Sequence, residues 1–262
     1  MTKISEITSR ENERVKRWKR LSSSSTAYRE EGLAWMEGEH LVQACADRGG
    51  DVETVLIRES RAQDPQARAL AQRCHAKEWV VLADRVFDGL CETPSPQGIA
   101  ALWRWSPAAG IDASLPTLVL DRVQDAGNVG TLLRSASVFG IRQVVALKGT
   151  AALGSPKVLR SAMGAHLGLR CVEQCSTETL LAAELPLIAT SSHAALAVHE
   201  TALPALCGWV MGHEGQGVAE AILAACQTTV RIPQPGGEES LNVGVAASIC
   251  LYEWARQRGF RA

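Results

Sequence analysis

Short apolar runs alternate along the chain with stretches whose hydrophobic residues recur every three or four positions, the signature of strands alternating with helices. In the first part, residues 33–36, 52–57, 79–82 and 99–103 read as strands, and residues 39–48, 65–75 and 84–90 as helices. Ahead of them, residues 9–21 read as a helix with Val15 and Trp18 on one side, ended by the serine run 22–25 as a flexible break. The aperiodic segment 106–116 holds two prolines and a glycine and reads as a linker. Beyond it the alternation resumes, with strands at 118–120, 144–147, 187–190 and 208–211 and helices near 129–139, 156–163, 177–184 and 218–225. A long final helix over 240–258 is apolar in its first half. This order predicts an α/β protein whose larger sheet is mostly parallel and covered on both faces. The expected organisation is a basic arm over 1–30, a small α/β domain over 31–105, the linker, and a larger α/β domain over 117–262.

Composition narrows the class without deciding the chemistry. A hydrophobic share of 46% and a charged share of 21% are ordinary for a globular protein, and no apolar run approaches the ~18 residues of a membrane span. The first twenty residues carry no apolar leader, so the expected setting is cytoplasmic, without a membrane. The eight cysteines make no C-x-x-C pair, so neither a metal site nor a disulfide framework is expected, and buried free thiols are. The net charge of −1 does not mark a nucleic-acid binder. Locally the picture changes: Arg10, Arg14, Lys16, Arg17, Lys19 and Arg20 crowd one helix, offset by Glu11 and Glu13. Such a cluster is either a solvated face or a contact for RNA.

Three segments carry candidate chemistry. In the first, the strand at 118–120 runs through Asp121, Asp125 and Gly127 into a helix holding Asn128, Gly130 and Arg134. A helix start there offers free N–H groups, and Gly130 admits a close neighbour. In the second, Trp209-Val210-Met211 runs into Gly212-His213-Glu214-Gly215-Gln216-Gly217. The glycine spacing is not that of a dinucleotide fold, but glycines at a strand's carboxyl end suit a ligand lying against the backbone. In the third, Ile232-Pro233 leads through a turn-rich loop to Ser240-Leu241-Asn242, with Ser240 as the expected helix N-cap. Asn242 has no apolar role and costs helix propensity in a first turn, which argues for a polar partner. Taken singly, each of these features has a structural reading, and a capping Ser with an early Asn is more often structural than catalytic.

Together, in this order and spacing, the three segments resemble the three motifs of the SpoU/TrmH family of RNA 2′-O-ribose methyltransferases. The resemblance extends to residues 157–165 and, more loosely, to Glu37-Gly38-Glu39-His40-Leu41-Val42. It departs at Ala126, where the family commonly has proline, and at His213, where it often has asparagine. Membership implies a larger domain threaded into a deep trefoil knot, preceded by a ribosomal-protein-like α/β domain that binds the RNA substrate, and a homodimer. It implies S-adenosylmethionine as cofactor, placed here against Gly212, Ile232 and Leu241, with Thr190 at a neighbouring strand end.

The same resemblance assigns the catalytic set to Arg134, Asn128, Glu214, Ser240 and Asn242. Arg134 would act as a base after engaging a phosphate, or as a phosphate anchor and oxyanion stabiliser. The second role suits a guanidinium that is always charged. Asn128 and Asn242 would orient ribose and arginine, Ser240 would hold the third loop, and Glu214 would set the charge balance near Arg134. Arg14, Lys16, Arg17, Lys19 and Arg20 would contact RNA, with ribosomal RNA of the 23S type favoured over transfer RNA. A non-catalytic RNA-binding protein of the same fold is the reading from another class, and the retention of all five polar groups argues against it.

Overall fold

The computed structural model describes residues 3–236 and 240–260, and the chain divides into two compact units. The first runs to Ser106 and includes Gly154–Leu167, and the second comprises Pro107–Leu153 and the chain from Gly168. Gly154–Leu167 thus departs from the contiguous 117–262 domain read from the sequence. The segment read as a linker begins the second unit: Ala108 donates to the Cys171 carbonyl, and the Gln143 amide bridges Asp112 and Thr117.

In the first unit, strands β1 (Lys3–Ile7), β2 (Leu33–Glu37), β3 (Val52–Arg58), β4 (Glu78–Leu82) and β5 (Ile99–Arg104) form a mixed sheet in the order β1-β4-β3-β5-β2. Helices α1 (Glu13–Ser23), α2 (Ala27–Glu31), α3 (Glu39–Asp47), α4 (Pro65–Arg73), α5 (Asp84–Leu90) and α7 (Pro156–Ala162) belong to the same unit. The expected arm is not separate, because β1 pairs in parallel with β4. The expected serine break is also corrected: α1 runs through Ser23, with Ser22 buried and donating to the Lys19 carbonyl. Serine hydroxyls satisfied by the preceding turn extend a helix that composition alone would end.

In the second unit, the described residues form a seven-stranded sheet of β6 (Thr117–Leu120), β7 (Gln143–Leu147), β8 (Arg170–Cys175), β9 (Leu187–Thr190), β10 (Leu196–Ala197), β11 (Gly208–Met211) and β12 (Thr228–Arg231). The order is β10-β12-β9-β11-β6-β7-β8, and every pairing is parallel. Strands β6, β7 and β11 are buried along their whole length, as central strands covered on both faces must be. Strands β8, β10 and β12 escaped the sequence reading because they are short or carry polar residues toward the sheet's edges. From β6 the chain builds outward to β7 and β8, then returns to place β11 on the other flank of β6. This reversal opens a crevice at the strands' carboxyl ends, where open α/β sheets bind ligands.

Four more helices complete the unit: α6 (Ala126–Val138), α8 (Thr177–Ala182), α9 (Glu220–Ala225) and α10 (Val243–Gln257). Helix α10 packs on α6 at close range, since a Cβ on Gly244 would come within 2.9 Å of Thr131 Cγ2, and Ser135 and Ser248 share a 2.7 Å hydrogen bond. Trp254, fully buried, anchors the far end of α10 by donating from Nε1 to the Pro204 carbonyl at 2.9 Å. The cysteines are free, and burial pushes the Cys171, Cys207 and Cys250 thiols up to about 12, so they stay protonated and inert. Among the described residues, no helix is long and apolar enough to cross a membrane, and no group of His, Cys, Asp or Glu is placed to hold a metal ion. Replacing Trp254 by alanine should cost about 3–5 kcal/mol in urea denaturation, the range for emptying a buried indole site. A loss below about 1 kcal/mol would show that α10 is held by other contacts.

Candidate active site

The site assembles from the loops that leave β6, β9, β11 and β12 on one side of the second unit. After β6, Asp121 is buried and Arg122 turns into the left-handed region at φ +58°. The two side chains form a two-point ion pair of 2.9 and 3.1 Å, and the Asp121 carboxylate also accepts from the Ala219 N–H at 2.7 Å. Asp125 then caps α6 by accepting from the Asn128 N–H at 2.8 Å.

After β11 the chain folds into a tight turn from His213 to Gly217, closed by mutual backbone hydrogen bonds of 3.0 and 2.8 Å. Gly212 is required by close approach: a Cβ there would lie 2.2 Å from the Gly217 carbonyl carbon. From this turn Glu214 reaches across to the first segment. Its carboxylate accepts from the backbone N–H groups of Gln124 and Asp125, both at 3.2 Å, and from Asn128 Nδ2 at 3.1 Å. Burial pushes the Glu214 carboxyl upward, but the Asn128 amide and the N–H groups of Glu214 itself, Gln124 and Asp125 outweigh it and hold the group below the usual carboxylate range. A depressed value means that the clamp is fully in place at neutral pH and is lost as pH falls through that lowered value.

The third segment joins the same network. Asn242 Nδ2 donates to Asn128 Oδ1 at 2.9 Å, while Asn242 Oδ1 caps α10 by accepting from the N–H groups of Gly244 and Val245 at 2.9 and 3.3 Å. The expected N-cap at Ser240 is therefore corrected to Asn242, because one amide both caps the helix and bonds Asn128. Ser240 is exposed, two residues ahead of the cap.

Thr190, Gly212, Ile232 and Leu241 line one cavity of about 330 Å³, together with His213, Glu214, Gln234, Ser240 and Asn242. Gln234 Oε1 is buried there without a hydrogen-bond partner among the described residues, an acceptor that a ligand with N–H or O–H donors would satisfy. Asn128 is tied to this wall through Glu214 and Asn242. Arg134 stands apart. It is exposed on α6 and makes no hydrogen bond or ion pair among the described residues, and Glu214, expected to set the charge balance near it, is instead bonded to Gln124, Asp125 and Asn128. Sequence reasoning overlooked the Asp121–Arg122 pair and Gln216, although adjacent opposite charges at the end of an apolar strand were visible. Arg122 Nη1 donates to Gln216 Oε1 at 2.9 Å and so braces the turn from outside.

In the first unit, the cationic face of α1 is largely engaged by carboxylates. Arg14 pairs with Glu78 and lies over the Trp18 ring, Lys16 pairs with Glu13, Arg17 with Glu31, and Arg20 with Glu30. Lys19 has no ion pair among the described residues. With Arg10 and Lys16 it rims a groove whose floor is Val15, Val86 and Leu90.

Known proteins resemble this chain in sequence and fold. The MRM3-like substrate binding domain matches residues 12–101. A 23S rRNA (guanosine(2553)-2′-O)-methyltransferase, RlmP of Bacillus subtilis (strain 168), is 31% identical over 252 residues, covering 95% of this chain and 98% of that protein. A 23S rRNA (guanosine-2′-O-)-methyltransferase, RlmB of Bordetella pertussis, is 35% identical over 74% of this chain and 82% of its own length. The crystal structure of the SpoU methyltransferase AviRb from Streptomyces viridochromogenes in complex with AdoMet superposes with a TM-score of 0.83 at 25% identity, covering 94% of this chain and 98% of that one. The SpoU rRNA Methylase family itself matches residues 116–252, the stretch that builds the cavity and its hydrogen-bonded wall, and the chain belongs to that family.

Proposed function

We propose that this protein is an S-adenosylmethionine-dependent methyltransferase acting on a ribose 2′-hydroxyl of ribosomal RNA. The observation that carries the reading is the hydrogen-bonded chain Asn242–Asn128–Glu214, which ties three distant segments beside a cavity holding an orphaned polar acceptor. The residues present fit the cofactor: Gly212 leaves the backbone bare against the cavity, Ile232 and Leu241 supply apolar wall, and Gln234 and Thr190 supply polar atoms. Bound there, S-adenosylmethionine supplies a methyl group on a positively charged sulfur.

The protein's own task is to bring a weak nucleophile to that methyl group and to stabilise the negative charge that grows on its oxygen. Arg134, exposed on α6 and without an ion pair among the described residues, is the cation assigned to this task. As a guanidinium it keeps its charge and is suited to anchor a phosphate and to stabilise the developing oxyanion. The Asn242 amide donates to Asn128, and the Asn128 amide donates to Glu214, so each has a defined orientation for contacting the ribose, and Ser240 lines the cavity with Asn242. Glu214 acts as a clamp on residues 124–128.

Two further features extend the reading. The chain leaves β12 on one flank of the sheet, yet its last helix packs on α6, which follows β6; this path supports the deep trefoil knot of the family. Leu241, Val245, Ile249 and Tyr252, from 38 to 50% exposed, lie along one face at the start of α10 and along it, with exposed Phe260 against the Tyr252 ring. Monomeric proteins rarely leave such a contiguous apolar stripe uncovered. A second copy of the chain is its proposed cover. Because Leu241 also lines the cavity, that copy would border the active site. Ribosomal RNA would be bound by the first unit through the α1 surface, where Arg10 and Lys19 have no carboxylate partner among the described residues and exposed pairs such as Arg20–Glu30, worth about 0–1 kcal/mol, yield readily to phosphate.

Incubation with methyl-labelled S-adenosylmethionine and unmodified ribosomal RNA, followed by digestion to nucleosides, should place label in a 2′-O-methyl nucleoside. Arg134→Ala should lower that transfer roughly 10²–10³-fold, the scale for losing one oxyanion donor, with cofactor affinity unchanged. Label on a base, or equal losses of affinity and rate, would refute this assignment. Ile249→Glu should convert a dimer into a monomer by light scattering; an unaltered mass would exclude this face as the interface. Arg10→Ala with Lys19→Ala should weaken RNA binding and reduce the salt slope of log affinity by about one to two, and an unchanged slope would leave the α1 surface merely solvated.

A further inference from the structure

The turn that follows Gly212 has little packing to hold it, since Glu214, Gly215, Gln216 and Gly217 are all exposed. Its shape depends on hydrogen bonds. Two are the backbone bonds between His213 and Gly217. Two more converge on one side-chain atom: His213 Nδ1 accepts from the Gly215 N–H at 3.0 Å and from the Gln216 N–H at 3.2 Å. An Nδ1 that accepts carries no proton, so the ring is neutral with its hydrogen on Nε2. The same turn sets the position of Glu214, and His213 and Glu214 both face the cavity.

We propose that His213 is a positioning residue whose neutral imidazole folds the cofactor-binding turn, so that cofactor binding weakens when the ring takes up a proton. The inference rests on the cofactor reading of this cavity. Protonation converts Nδ1 from acceptor to donor, leaves the Gly215 and Gln216 N–H groups facing a third donor, and opens the turn. The charged groups around the turn do not offset this. The Glu214 carboxylate is bonded to the Gln124, Asp125 and Asn128 donors, and the Arg122 guanidinium that braces Gln216 from the end of β6 is neutralised by Asp121. Asparagine at this position places an acceptor oxygen the same number of bonds from Cα as Nδ1 and takes up no proton.

The test is calorimetric titration of the full chain with S-adenosylmethionine between pH 8 and pH 5.5, a window in which Glu214, held below the usual carboxylate range, stays ionised. The wild type should lose about tenfold in affinity toward pH 5.5, equivalent to about 1.4 kcal/mol. His213→Asn should match the wild type at pH 8 and stay flat with pH, while His213→Ala should bind weakly throughout. If wild type and His213→Asn show the same profile, or if His213→Ala binds like wild type at pH 8, the proposal is overturned. A second readout needs no cofactor: exchange protection of the Gly215 and Gln216 amides, corrected for intrinsic rates, should fall with pH in the wild type and not in His213→Asn. Should the wild type bind no S-adenosylmethionine at pH 8, the cofactor reading fails, and the amide protection still decides whether His213 orders the turn.

Discussion

The Glu214 carboxylate takes three donors from a loop 86 to 90 residues earlier in the chain, and the arrangement of the site follows from that contact. A parallel sheet never joins neighbouring strands by a tight turn, so the loops after β6 and β11 meet only because their strands pair side by side. Once they meet, a carboxylate facing backbone N–H groups at the start of a helix is a charge-assisted contact, favoured there by the helix dipole. Bare backbone at Gly212 allows the turn to close tightly enough to bring Glu214 into range.

The two arginines of the first segment show how charge is distributed between frame and chemistry. Arg122 is fully committed: its guanidinium is shared between buried Asp121 and Gln216, and its backbone adopts a left-handed conformation to get there. Arg134, further along the chain on α6, has no carboxylate to neutralise it among the described residues. A cation held on a rigid helix without a protein partner is available to an anionic one. The third segment reaches the same place by another route, with α10 held at its far end by Trp254 and at its start by Asn242, so the cap amide arrives at Asn128 already oriented.

How much of this was legible depended on the range of the interaction. The central strands were readable because burial on both faces leaves an unbroken apolar run, as in Leu118-Val119-Leu120. Strand β8, with Arg170, Glu173 and Gln174, was not, because a sheet's edge tolerates polar residues. Ser240 and Asn242 are equally good caps by residue type, and only the contact with Asn128 chooses between them. The pairing of Arg14 was not readable because its partner Glu78 lies 64 residues away.

The sequence by itself determined the alternation of strands and helices, the break near residue 106 and the three polar segments that end up together. Each of these is a local pattern, set by side-chain periodicity and turn chemistry within a few residues. The tertiary structure alone decided which strands are neighbours, which cations remain unpaired, that one amide serves both as cap and as bridge, and that the imidazole of His213 is an acceptor within its own turn. Those outcomes depend on distances between residues far apart in the chain, or on the orientation of a single ring, and neither is encoded in the order of residues read a few at a time.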